Sequence, residues 1–170
     1  MIKQEPRNWY AVQTRARNEK VISERLQEQG LTTFLPLVTE VHRWSDRKKK
    51  VELPLFSCYV FVKLEAGNND ERMRVYRTGG VFGIVSMRGE AIPIPDEQIE
   101  ALRTVVTQQI PFSAHPYLKI GQRVRIRGGS LDGVEGVLLS RSGDRTLIIS
   151  VEAIQRSLAV RVEGYDVEAL

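Results

Sequence analysis

Leu55-Phe56-Ser57-Cys58-Tyr59-Val60-Phe61-Val62 is the strongest strand signal in the chain, dense in aromatic and β-branched residues and free of proline and glycine. Residues 56 and 59 have opposite parity, so a regular strand cannot turn both aromatics inward: one is exposed, or a bulge intervenes. Upstream, His42-Arg43-Trp44-Ser45-Asp46-Arg47-Lys48-Lys49-Lys50 is polar and basic and predicts the tip of an extended hairpin, with Thr32 to Val38 as an earlier strand. Further back, Trp9-Tyr10-Ala11-Val12-Gln13-Thr14 predicts a first strand. A helix follows, capped by Thr14 or Asn18, with Val21, Ile22 and Leu26 on a narrow apolar face and a stop at Gly30.

Downstream, Asn68 or Asn69 opens a short helix through Arg77, which Thr78-Gly79-Gly80 breaks. Phe82 to Met87 predicts another strand. Pro95-Asp96-Glu97 opens a helix whose Ile99, Leu102, Val105 and Val106 recur at helical spacing. The order β-α-β-β-β-α-β-α predicts an antiparallel-rich sheet with helices packed on it, in the α+β class, over residues 1–109. Residues 110–117 contain Pro111 and Pro116 without periodicity and predict a linker. Residues 118–170 hold only short strands, Val124 to Arg127, Val134 to Leu139, Thr146 to Val151 and Leu158 to Val162 among them, and predict an all-β barrel of about five strands.

With 170 residues, 42% hydrophobic and 27% charged, the composition is that of a soluble globular protein with room for two small domains. The 25 basic against 21 acidic side chains leave +4, which suits work near nucleic acid without requiring it. The excess lies mainly in residues 1–109, with 17 basic and 14 acidic side chains, whereas residues 110–170 carry 8 and 7. A single cysteine, Cys58, excludes an internal disulfide and favours a reducing compartment. Met1 to Asn8 lacks the apolar core of a signal peptide, and no stretch is long enough to span a bilayer. A cytoplasmic protein is expected.

Catalytic groups are scarce. The two histidines, His42 and His115, fall in the hairpin tip and the linker, and no zinc spacing, phosphate loop, dinucleotide fingerprint or nucleophile elbow can be written. No catalytic residue, metal or cofactor is expected.

Leu118-Lys119-Ile120-Gly121-Gln122-Arg123-Val124-Arg125-Ile126, continuing through Gly128-Gly129-Ser130-Leu131-Asp132-Gly133 to Gly136-Val137, resembles the KOW motif of ribosomal and transcription proteins. In physical terms Val124 and Ile126 point into a barrel core, Asp132-Gly133 makes a tight turn, and Gly136 relieves a close backbone approach. Ahead of it stand Trp9-Tyr10, Leu55-Phe56-x-x-Tyr59-Val60-Phe61-Val62, Arg77-Thr78-Gly79-Gly80-Val81-x-Gly83 and Ala91-Ile92-Pro93-Ile94-Pro95. In this order they look like the N-terminal domain of the NusG family. Housekeeping members usually read Phe-Pro-Gly-Tyr where this chain has Phe56-Ser57-Cys58-Tyr59. The compact Trp44 to Lys49 tip and Pro54-Leu55-Phe56 are more similar to specialised paralogues of the RfaH and UpxY type, which serve chosen operons.

The resemblance implies a transcription elongation and antitermination factor, monomeric, that binds the RNA polymerase clamp and touches the non-template DNA strand. It implies that Leu55, Phe56 and Tyr59 line a hydrophobic cavity for the clamp, and that Arg77 and Thr78 lie near the DNA strand. Ile154 and Arg156 on the barrel fall where members meet ribosomal protein S10, and general members also bind Rho. Arg15, Arg17 and Lys20 at the first helix, and Arg47, Lys48 and Lys49 at the tip, are further candidates for phosphate contact, against the simpler reading of a solvated basic surface. Taken alone, the aromatics and Ile154 would be assigned to the core, as would Trp9, and Cys58 to a small apolar strand position. The rivals are a KOW module that binds RNA or the ribosome without polymerase, an enzyme with a carboxylate pocket, and a structural scaffold. In RfaH the last domain can adopt a helical hairpin. Here Val124, Ile126, Val137, Ile148, Ile149, Val151, Val160 and Val162 are β-branched, and Gly128, Gly129, Gly133 and Gly136 would each weaken a helix by about 1 kcal/mol, so strands are expected.

Overall fold

The computed structural model describes residues 5–118 and 120–170. Residues 1–4, half of the segment judged for a signal peptide, and Lys119 of the quoted KOW segment lie outside the described residues. The chain divides into two compact units after Pro93.

In chain order the first unit holds β1 (Arg7–Thr14), α1 (Glu19–Glu28), β2 (Thr32–Phe34), β3 (Leu37–Trp44), β4 (Arg47–Pro54), β5 (Tyr59–Glu65), α2 (Asn69–Arg77), β6 (Val81–Ile84), β7 (Ser86–Met87) and β8 (Glu90–Ala91). Four strands form an antiparallel sheet in the order β2-β5-β1-β6. The alternation along β1 and β5 sorts their side chains. Tyr10, Val12, Val60, Val62 and Leu64 pack with Ile22 and Leu26 of α1 and Val75 of α2 in one core. The other face carries Trp9, Ala11 and Phe61, with Trp9 edge-on to Phe34 at 6.4 Å and Phe34 stacked on Phe61 at 6.1 Å. Trp9 is buried, as expected.

The helices start and stop where the sequence signals them. Asn68 accepts from the Glu71 N–H at 3.1 Å and caps α2, while Asn18 sits at the N-cap of α1 without a side-chain bond. Gly30 takes φ +82° just beyond α1, the left-handed conformation that ends a helix. Two boundaries move. The predicted strand from Leu55 begins only at Tyr59, because residues 55–58 form a turn, and the parity conflict between Phe56 and Tyr59 disappears with it. Thr32 to Val38 is broken at Leu35-Pro36 into β2 and the start of β3, proline having no N–H for a ladder. Val21, assigned to the apolar face of α1, is 43% exposed; Glu19 and Ser23 are buried instead.

The second unit holds α3 (Asp96–Thr107), β9 (Ser113–His115), β10 (Gln122–Arg127), β11 (Glu135–Arg141), β12 (Asp144–Val151), β13 (Arg156–Arg161) and β14 (Asp166–Ala169). The strands form one antiparallel sheet, β14-β10-β11-β12-β13-β9. The cross-strand pairing puts Val124, Ile126, Leu147, Ile149, Val151, Leu158 and Val160 on a common face, and all are buried. Expected turns are present: Leu131 to Val134 closes with Asp132 at φ −53° and Gly133 at φ +81°, a type II turn, and Ser142-Gly143 has positive φ at both positions, as a type I′ hairpin requires. A Cβ on Gly136 would run into the Ile148 carbonyl, so the close approach inferred at this glycine is real.

Two differences concern the join. The predicted boundary put α3 in the first domain, whereas here it lies over β11 and β12 in the second unit, where Val137 and Ile148 are buried on the opposite sheet face. The periodicity of Ile99, Leu102 and Val105 specifies a buried helical face without naming the sheet it covers. The segment read as a linker contains β9, paired to β13 through Ser113↔Ala159, Ala114↔Leu158 and His115↔Ser157.

Candidate functional site

Three stretches singled out from the sequence meet at one end of the first sheet. The Thr14 N–H at the end of β1 donates to the Cys58 carbonyl at 2.9 Å, and the next amide, Arg15, donates to the Gly80 carbonyl at 2.8 Å. The turn before β5, the loop leading into α1 and the break after α2 are thereby tied together through main-chain bonds.

Within that turn Leu55 and Tyr59 are half-buried and Phe56 is 8% exposed. Tyr59 pairs with Gln13 and shares a sheet face with Phe61 and Trp9, so it extends their aromatic row toward the sheet end. Cys58 has φ +69°, a left-handed conformation that costs a non-glycine residue roughly 1–2 kcal/mol. The buried Glu19 side chain offsets this by accepting from the Cys58 N–H at 2.9 Å. Sequence reading missed Glu19, since a glutamate in the first turn of a helix signals no more than a favourable helix end.

Arg15, Arg17, Lys20 and Arg77 are exposed around this junction. Thr78 is buried, 6% exposed; its hydroxyl donates to the Arg74 carbonyl and accepts from Gln29, both at 2.8 Å. The hydroxyl's proton and one of its two lone pairs are thus used within the fold.

β3 and β4 pair over eight positions, from Leu37↔Pro54 to Trp44↔Arg47. At roughly 3.3 Å per residue this ribbon reaches about 23 Å from its base. Ser45-Asp46 closes it, and neither residue has the positive φ of a primed hairpin turn. Arg47, Lys48 and Lys49 are exposed at the tip, as is Trp44, 67% accessible.

On the second unit Ile154 is 7% exposed, so it offers little surface, while Arg156 is exposed. The arginines of β10 are paired. Arg123 and Arg125 meet Glu135, Arg127 meets Glu168, and the hydrogen bonds that Arg125 donates to the Glu135 carboxylate raise the Arg125 pKa above its ordinary value. Burial, and then the negative Glu152, raise that of Tyr117. Among the described residues no three His, Cys, Asp or Glu side chains gather to hold a metal, and no helix is long and apolar enough to cross a membrane.

Comparison with known proteins joins these features. The chain is 27% identical to the transcription termination/antitermination protein NusG of Borreliella burgdorferi, an alignment that covers 96% of this chain and 99% of the relative. Its fold is similar to that in a structure of Thermotoga maritima NusG described as showing a domain interaction, with TM-score 0.53 and 20% identity over 97% of this chain and 98% of the other. The family model described as transcription termination factor nusG matches residues 7–103, through most of α3. With more than half of its length matched by that model, the chain belongs to the NusG family.

Proposed function

We propose that this NusG-family protein binds the RNA polymerase clamp through the end of its first sheet and promotes processive elongation on selected operons, working in the cytoplasm as a monomer. As a family member it is a transcription factor and not an enzyme. The observation that carries the polymerase reading is the junction of the half-buried Leu55 and Tyr59, set on the buried Phe56, with the exposed Arg15, Arg17, Lys20 and Arg77, locked by the Thr14–Cys58 and Arg15–Gly80 main-chain bonds. An apolar contact and a basic rim side by side suit a protein helix lying next to a nucleic-acid strand. The non-template DNA strand is the nucleic acid proposed for that rim and for Arg47, Lys48 and Lys49. The barrel is the proposed contact for ribosomal protein S10 and Rho, with Arg156 at its surface.

The rival, a KOW module that binds RNA or the ribosome without polymerase, is disfavoured by the acidic partners of Arg123, Arg125 and Arg127. Three arginines that share two carboxylates leave a net charge of only about +1 on this strand, a weak attraction for phosphate. Capture of native polymerase by the purified intact protein, compared with its Tyr59→Ala form, tests the proposal. Binding by the wild type and its loss in the variant are expected; failure of the wild type to capture polymerase would overturn it.

A further inference from the structure

Trp44 is a large aromatic side chain held in solvent at the end of a two-stranded ribbon. Of the two tryptophans, Trp9 is 5% exposed and packed among aromatics, whereas Trp44 is 67% exposed. Nothing in the fold requires an indole at that position, and its solvation is unfavourable unless a partner covers it.

The register shows what surrounds it. Residues directly opposite on paired strands share a face, so Trp44 stands with Arg47, and the next pair on that side of the ribbon is His42 with Lys49. Arg43, Lys48, Val41 and Lys50 line the reverse face. Positive charge therefore flanks the indole on both sides of the ribbon, and residues 41–50 carry five basic side chains against the single acid Asp46. A protein partner would have to be acidic on every side of one apolar slot. A polyanion with flat apolar rings spaced along it fits without further assumption. In a duplex those rings are already stacked, and opening a step costs a few kcal/mol; in a single strand they are available, and an aromatic platform with cations beside it is how single strands are held without sequence preference.

We propose that the hairpin tip is a single-strand nucleic-acid clasp: Trp44 stacks on an unpaired base while Arg47 and Lys49 beside it, and Lys48 behind, take the adjoining phosphates. This deepens the proposal that the hairpin meets nucleic acid and rests on it, but it does not depend on the polymerase contact of the sheet end.

The test uses the intact chain without polymerase. An oligothymidylate of about twelve residues, within the usual site sizes, is titrated at low salt while tryptophan emission and acrylamide quenching are followed. Because Trp9 is buried, the accessible signal belongs to Trp44. Binding should quench that emission and shield it from acrylamide, and a duplex of the same length should bind more weakly. Measured by the anisotropy of an end-labelled oligothymidylate, which does not need the indole as reporter, Trp44→Ala should lower affinity about tenfold, with Trp44→Phe between. Replacing Arg47, Lys48 and Lys49 by Gln should flatten the slope of log affinity against log salt by about 2. Trp44→Ala binding as tightly as wild type, or a duplex quenching Trp44 as strongly as the single strand, would overturn the clasp. So would protection of Trp44 by polymerase alone with no oligonucleotide binding, which would make the tip a protein contact. Captured polymerase is scored separately, and its retention by Trp44→Ala separates this inference from the clamp contact.

Discussion

The Glu19 carboxylate accepts the Cys58 N–H at 2.9 Å, across 39 positions of sequence, and so braces the turn that carries Phe56 and Tyr59 from below. Glu19→Ala should destabilise the first domain by about 2 kcal/mol, since it removes a charge-assisted bond and leaves the half-buried Cys58 amide without this partner. Glu19→Gln keeps an acceptor and should recover at least half of that loss. Urea denaturation of the three proteins checks the order; equal midpoints for wild type and Glu19→Ala would show that the turn holds itself.

Cys58 occupies the left-handed region, at φ +69°. Cys58→Gly removes a strain of roughly 1–2 kcal/mol but frees the unfolded chain, so a net gain of about 0.5 kcal/mol is expected. Cys58→Val should lose about 1–2 kcal/mol, because branching at Cβ tolerates positive φ least. Thermal melts in reducing buffer measure both, and a stabilising valine would refute the strain.

The polymerase contact is better probed at Tyr59 than at Phe56. Phe56 is 8% exposed, so Phe56→Ala should cost about 3 kcal/mol of fold stability and confound a binding assay. Tyr59→Ala touches a half-buried side chain and should weaken captured polymerase by at least about 2 kcal/mol while the protein stays folded. Undiminished capture by a well-folded Tyr59→Ala would place the contact elsewhere.

Gly136→Ala directs a methyl group at the Ile148 carbonyl and to 3.0 Å from the Leu147 side chain. Backbone cannot step aside as a flexible side chain can, so a loss of about 2–3 kcal/mol is expected, confined to the second unit. Amide exchange should show faster opening of β11 and β12 and unchanged protection in β1 and β5.

A fragment of residues 94–170 should melt several degrees above one of residues 110–170. Removing α3 bares Val137 and Ile148, each worth about 1.5–3 kcal/mol when buried, and a kilocalorie moves a domain of this size by about 4–8 °C. Both fragments should give strand-type circular dichroism. Identical melting temperatures would mean that α3 contributes nothing to the sheet it covers.

Much of this architecture was legible in the residues because it rests on local rules. Alternation marks β1, β5 and the strands of the second unit, Asn68 marks the start of α2, and Ser142-Gly143 marks a hairpin. What stayed hidden is relational. Residues 55–58 combine two apolar side chains with two small ones and pass for strand, because the left-handed turn at Cys58 depends on Glu19, far away in sequence. Thr78, matched by resemblance to a DNA-facing position, is occupied by Gln29 and Arg74, which no motif reveals. Trp44 was visible as an aromatic in a basic run, but its exposure and its pairing with Arg47 come only from the register.

The three-residue strand between Pro111 and Pro116 has a consequence for how the protein behaves in a crowded cell. β9 covers the side of β13 that would otherwise present unpaired N–H and C=O groups, a template on which another chain could continue the sheet. β9 is itself too short to recruit a long strand, and the prolines at its flanks lack the N–H that would extend a ladder. A segment that looks like a mere connector thus caps one edge of the sheet with a strand too short to template another.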